Sequence, residues 1–246
     1  MKIKRVLIYV GISLIALPLL VVAGLFIWSA TSTYPAGEMA LAALEPSETV
    51  RVSQDDWITF SPENPSETGL IFYPGGLVEP EAYTPVLREI AEHGILVVIT
   101  PMPLNLAILN TNAANAVFEA YPEISDWVLA GHSLGGASAA IYANGNPDKI
   151  NALALWDSYP PDSADLSNSN LTVLSIYGTT DGIPNTDNFD NNTYLLPPDT
   201  LFIAIEGGSH AQFGDYGPQA GDVTPSISAA DQHAQVVEAM LTFINK

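Results

Sequence analysis

WVLAGHSLGGASAAIYA, residues 127–143, contains three consecutive local signals. Trp127 to Ala130 is a short apolar run fit for a buried strand, and 137–143 is a helix-forming run of mostly small residues. Between them, Gly131-His132-Ser133-Leu134-Gly135-Gly136 forms a tight turn with serine at its apex. A serine on a sharp, strained turn needs neighbours without side chains, so that strand and helix can approach each other closely. The helix that follows directs its free N–H groups and positive dipole end toward charge developing at the serine oxygen. This strand, turn and helix around GxSxG is the context in which the motif presents an exposed nucleophile.

From residue 49 onward, short apolar runs alternate with longer amphipathic ones. That is the pattern of βαβ units and a mostly parallel sheet with helices on both faces. Strands are predicted at 50–53, 57–60, 69–73, 95–99, 127–131, 151–156, 171–177 and 201–205, the first two as an antiparallel opening. Helices are predicted at 80–93, 105–120, 134–144 and 228–245. The expected fold is therefore α/β, with an eight-stranded, mostly parallel sheet. Only about 14 residues separate the strand ending near Asp157 from the next at Leu171, too few for a lid domain.

A serine hydroxyl is a weak nucleophile until a base takes its proton, and the base needs a carboxylate to orient it. The chain has four histidines. His132 lies inside the turn and its side chain is expected to point away from that of Ser133; His93 precedes Gly94 where it can cap a helix; His233 falls within the last helix. His210, in the loop GGSHAQFGDYG after the strand LFIAI, is the predicted base. Asp181, in GTTDG after the strand LTVLSIY, is the predicted acid, and Asp157, ending ALALWD, competes for that role. Asp215 is assigned to shaping the histidine loop. Chain order is then Ser133, Asp181, His210.

A tetrahedral oxyanion needs two N–H donors. Leu134 supplies one, and the glycines of Tyr73-Pro74-Gly75-Gly76 allow a second at Gly76, with Leu77 as the alternative. Tyr73, Leu77, Met102 and Phe213 are expected to line the substrate site, with Leu104, Leu106, Trp156 and Tyr159 as further apolar candidates. This chemistry requires no cofactor and no metal.

At these residues the chain resembles the α/β-hydrolase superfamily. YPGGLVEPEAY, TPMPLNLAI, GHSLGG, SIYGTTDG and IEGGSHAQFGDYGPQ are similar to a compact, lidless group within it. The resemblance implies an eight-stranded α/β-hydrolase sheet with Ser133, Asp181 and His210 as triad; the expected substrate is a small-molecule carboxylic ester. Pro74 stands where a histidine often precedes the oxyanion glycines, which leaves the donor open. Thioesterases, peptidases and non-catalytic binding ectodomains share the fold, so fold alone does not select the reaction.

Ahead of this domain, Val6 to Trp28 is an uncharged apolar run. As a helix it would extend about 34 Å at 1.5 Å per residue, enough for a hydrocarbon core of about 30 Å. Lys2, Lys4 and Arg5 precede it and the next basic residue is Arg51, which orients residues 1–5 to the cytoplasm and 49–246 outside, with 29–48 as spacer. The alternative is a cleaved secretory signal, although the run exceeds the length of a signal core and WSATSTYPAG offers no clean small-x-small cleavage site. The whole chain of 246 residues carries 7 basic and 27 acidic residues, net −20; beyond the apolar run, four basic residues face all 27 acidic ones, net −23. Such a surface repels phosphate backbones, which argues against a nucleic-acid partner. The absence of cysteine excludes disulfides, thiolate metal sites and a thiol nucleophile.

Overall fold

The computed structural model describes residues 2–183 and 192–245, with side chains from Leu14 onward; those of the basic Lys2, Lys4 and Arg5 lie outside the described residues. It divides into two compact units, Met1–Thr33 and Tyr34–Lys246.

The first unit is one helix, α1 (Lys2–Ser32), with Pro18 inside it. From Leu14 to Ser32 it is long and apolar enough to cross a membrane, and almost none of that stretch is buried. Leu17, Leu20, Phe26 and Ile27 are each more than 60% exposed, so the helix has no internal core to explain its composition.

The second unit is built on eight strands: β1 (Val50–Gln54), β2 (Ile58–Pro62), β3 (Thr68–Tyr73), β4 (Leu96–Ile99), β5 (Asp126–His132), β6 (Ala152–Trp156), β7 (Thr172–Gly178) and β8 (Leu201–Ile205). They form one sheet in the order β1-β2-β4-β3-β5-β6-β7-β8. β1 and β2 are antiparallel, β2 is antiparallel to β4, and every other pairing is parallel. The helices are α2 (Glu38–Ala42), α3 (Thr84–Glu92), α4 (Ala114–Ala120), α5 (Leu134–Gly145) and α6 (Ala229–Ile244).

Side chains alternate across a strand, so each central strand feeds two cores. From β3, Leu70 and Phe72 pack with Leu87 and Ile90 of α3 and Val236 and Met240 of α6. Ile71 and Tyr73 pack on the opposite face with Val117 of α4 and Ala139 and Ala143 of α5. Apolar residues on both faces of β3 to β7 are the condition for a parallel sheet covered by helices. Full burial of side chains such as Leu87 and Ile90 contributes about 1.5–3 kcal/mol each.

Two stretches depart from the sequence reading. The helix predicted at 105–120 is two 3₁₀ turns, Pro103–Asn105 and Ala107–Asn110, followed by α4 alone, because Leu104 and Asn105 adopt left-handed φ angles of 55° and 52°. Residues 34–48, read as spacer, include part of the compact unit. Tyr34 N–H donates to Leu77 O at 2.8 Å, and Gly37 N–H and Ala40 N–H donate to the backbone and side chain of Asp215. Between β6 and β7, residues 158–171 form no helix and no strand, so no lid is inserted there.

Candidate active site

Ser133 joins β5 to α5 with φ 52° and ψ −122°, a conformation that side chains rarely adopt. Its N–H is held by Trp156 O at 3.0 Å, and its C=O accepts from Ser158 Oγ at 2.7 Å. Leu134 opens the helix, so its N–H has no intrahelical acceptor. The glycines are required by close approach. A Cβ on Gly131 would meet the Gly135 carbonyl at 2.6 Å, and one on Gly135 would overlap the carbonyl oxygens of Tyr73 and Pro74. Elbow and 73–76 loop therefore touch backbone to backbone.

The loop amides divide sharply. Gly75 N–H donates to Tyr83 Oη at 3.0 Å, and Leu77 N–H donates to Asn105 O at 2.7 Å. Gly76 N–H has no partner among the described residues. A Cβ at Gly76 would meet the Leu134 side chain at 3.0 Å, so the loop lies directly beside the elbow.

His210 follows β8, and its Nδ1 lies 3.0 Å from Asp181 Oδ2 and 3.8 Å from Asp157 Oδ2. Only the first is a hydrogen-bond distance. The histidine loop is fixed from behind by Gln232 of α6, fully buried, whose Oε1 accepts from Ser209 N–H at 3.0 Å and whose Nε2 donates to Ser209 O at 2.9 Å. On the other side, Asp222 Oδ2 accepts from Ala211 N–H at 2.8 Å. His210 Nε2 is buried without a hydrogen-bond partner among the described residues, and His210 lines one pocket with Ser133. This pocket, about 280 Å³, is completed by Leu134, Ala137, Asp157, Ser158, Tyr159 and Ile183.

Asp157 directly follows β6, has φ 44° and is buried. Burial, and then the neighbouring charge of Asp181, push its carboxyl well above the usual carboxylate range, which favours the neutral acid. Ligand atoms of Asp157, Asp181 and His210 all lie within 4.8 Å of one another, close enough to hold a cation. The hydrogen-bonded Nδ1–Oδ2 pair and the neutral tendency of Asp157 describe instead a histidine oriented by one carboxylate.

Of the residues expected to line the substrate site, Tyr159 reaches this pocket, whereas Tyr73, Leu77, Met102 and Phe213 are not among its lining. Tyr73 and Met102 are buried in the α4/α5 core, where Tyr73 Oη donates to Thr111 O and accepts from Ala114 N–H. Phe213 is fully buried and stacks on His132, ring centroids 5.5 Å apart. Leu77 is half-buried at φ 55°.

Two contributors were not singled out from sequence, and a third, His132, was set aside as pointing away from Ser133. Gln232 lies in an ordinary helical segment and nothing local marks it, and Tyr83 ends the stretch YPGGLVEPEAY without a role assigned to it. His132 does carry a signal, a buried imidazole next to the nucleophile position: its ring lies 4.4 Å, centroid to centroid, from that of His210, and its Nδ1 is 2.8 Å from Tyr83 Oη. Burial, followed by the proximity of His210, lowers the His132 pKa well below the usual histidine range.

No curated protein matches the sequence significantly. Among solved structures, the chain is similar to Est1E from Butyrivibrio proteoclasticus with bound ferulic acid (15% identity, TM-score 0.58, 79% of this chain and 99% of that one). It is similar also to an esterase/lipase from an uncultured bacterium (10%, TM-score 0.59, 84% and 88%) and to a monoacylglycerol lipase of Paleococcus ferrophilus (14%, TM-score 0.56, 79% and 99%). The profile of the alpha/beta hydrolase family matches residues 69–234, which span β3 through the first turns of α6 and include the elbow, both aspartates and His210. With this match over most of its length, the chain belongs to the α/β hydrolase family.

Proposed function

We propose that this protein is a serine hydrolase that cleaves carboxylic esters through an acyl-enzyme. The observation that carries the reading is Ser133 at φ 52° on the elbow, sharing one pocket with a histidine whose other nitrogen is hydrogen-bonded to Asp181 at 3.0 Å. Ser133 Oγ attacks the ester carbonyl carbon while its proton passes to His210 Nε2. Asp181 holds Nδ1–H and stabilises the imidazolium without itself taking the proton. The amides of Leu134 and Gly76 receive the oxyanion, since Gly75 and Leu77 are already engaged. His210 then protonates the leaving alkoxide, and water repeats the sequence on the acyl-enzyme. Structural relatives described as esterases and lipases support an ester over an amide.

In the same proposal, α1 anchors the chain in the cytoplasmic membrane and places the acidic domain outside it. The apolar helix and the three basic residues ahead of it support that orientation.

Labelling with a fluorophosphonate tests the reaction. The folded protein should label at Ser133 and a Ser133→Ala variant should not, with turnover of p-nitrophenyl esters following the label. Folded protein that stays unlabelled, or labels equally after Ser133→Ala, would sink the proposal.

A further inference from the structure

The fully buried pair Tyr83 and His132 is not used by the chemical steps above. Tyr83 Oη stands between two groups: it accepts Gly75 N–H at 3.0 Å and lies 2.8 Å from His132 Nδ1. The amide can only donate, so the phenol proton needs an acceptor, and Nδ1 is the one in reach. With Nδ1 accepting, the His132 proton sits on Nε2, which is buried without a hydrogen-bond partner among the described residues; the reverse order would leave both the phenol proton and the Nε2 lone pair unpaired, which favours Gly75 N–H to Tyr83 O–H to His132 Nδ1. A Cβ on Gly75 would fall 2.6 Å from Tyr83 Oη and 2.8 Å from His132 Nδ1, so the loop backbone lies directly on the pair. Phe72 packs on the Tyr83 ring and Phe213 on the His132 ring, at centroid distances of 4.8 Å and 5.5 Å.

We infer that Tyr83 and His132 are positioning residues that tie the 73–77 loop to the elbow and thereby hold Gly76 N–H in register with Leu134 N–H. His132 is covalently next to Ser133, and Gly75 next to Gly76, so the chain of two hydrogen bonds links the two halves of the oxyanion site, with the His132 ring also lying 4.4 Å, centroid to centroid, from that of His210. This inference rests on the serine-hydrolase reading with Gly76 as donor. Burial holds the Tyr83 phenol protonated and the His132 ring neutral, the two states that the relay needs.

The test compares the full-length, detergent-solubilised wild type with Tyr83→Phe, His132→Leu and His132→Asn, the last because the asparagine Oδ1 can stand in for Nδ1 as acceptor. Turnover of a p-nitrophenyl ester is expressed per fluorophosphonate-labelled site, so unfolded molecules do not count. An oxyanion donor acts mainly in the transition state, and losing one outright costs about 10²–10³ in kcat. Tyr83→Phe and His132→Leu should lower kcat about tenfold or more with KM within about twofold, and His132→Asn should recover most of the loss. Binding of an alkyl boronic acid, which forms a tetrahedral adduct on the serine, should weaken in parallel with kcat, while binding of the product carboxylate should not. A kcat per labelled site within about twofold of wild type for Tyr83→Phe, a loss confined to KM, or a His132→Asn no better than His132→Leu would overturn the assignment. Wild-type protein that turns over and labels at Ser133 leaves the serine-hydrolase reading standing in each of those outcomes; wild type that does not label overturns both.

Discussion

Replacing Asp181 by asparagine removes a charge and inverts a hydrogen bond. With the amide N–H facing Nδ1, the imidazole is driven to the tautomer with its proton on Nε2, where it can no longer accept from Ser133. The electrostatic share follows from the 3.0 Å separation. At an effective dielectric of about 20, a full charge pair at that distance is worth about 5.5 kcal/mol, or about four decades in rate. Loss of the orienting carboxylate in other serine triads is of the same order, about 10⁴. Asp157 cannot substitute from where it stands, because its oxygen is 3.8 Å from Nδ1 and its environment favours the neutral acid. Asp181→Asn should therefore lower kcat by about 10³–10⁴. Asp157→Asn replaces a carboxyl whose burial favours the uncharged form by an amide of the same shape, and should cost no more than about tenfold. The assay is kcat for a p-nitrophenyl ester per fluorophosphonate-titrated site, measured for both single variants and the double. A larger loss from Asp157→Asn than from Asp181→Asn would refute the assignment of the acid; a double variant much worse than Asp181→Asn would show that Asp157 is ionised and working.

Gln232→Leu strips both partners from the buried Ser209 backbone and should cost about 2–4 kcal/mol in urea unfolding, while lowering kcat because His210 is the next residue. Gly135→Ala places a methyl group on the carbonyls of Tyr73 and Pro74 and should destabilise by about 3 kcal/mol or more, read as a lower urea midpoint or loss of folded protein. Burial depresses the pKa of both His132 and His233, so the unfolded chain binds more protons than the folded one below the ordinary histidine pKa. The associated stability is fully present above pH about 6.5 and is lost as pH falls. Melting temperatures followed from pH 7.5 to 5 should decline, and His132→Asn should flatten the decline; an unchanged slope would count against a buried neutral His132.

The strands were legible because each is an apolar run bounded by turn residues, and burial on both sheet faces leaves little else that such runs can become. The elbow was legible because GHSLGG falls where a strand must turn into a helix. At 105–120 the reading failed for a local reason: Pro103 and the left-handed Leu104 and Asn105 break the helix before its apolar periodicity can act. Tyr73 was placed in the site by adjacency to the loop, but strand parity puts it on the face of Ile71, inside the α4/α5 core. The Gly75–Tyr83–His132 relay joins residues 8 and 49 apart through hydrogen bonds that no pattern of residue types encodes. Asp181 and His210 were selected by their position after strand ends, and the choice between Asp181 and Asp157 turns on 0.8 Å, which only coordinates supply.

Among the described residues, the non-glycine residues with left-handed φ are Leu77, Leu104, Asn105, Ser133 and Asp157. All follow the carboxyl ends of β3, β4, β5 and β6, so the backbone tension is confined to one rim of the sheet. Each such residue costs about 1–3 kcal/mol and persists only while its surroundings insist on it. The rim should therefore relax at a milder denaturant concentration than the strands beneath it. On warming or in urea, catalytic competence would fade while circular dichroism still reports an intact sheet, making inactivation an early warning of unfolding rather than its result.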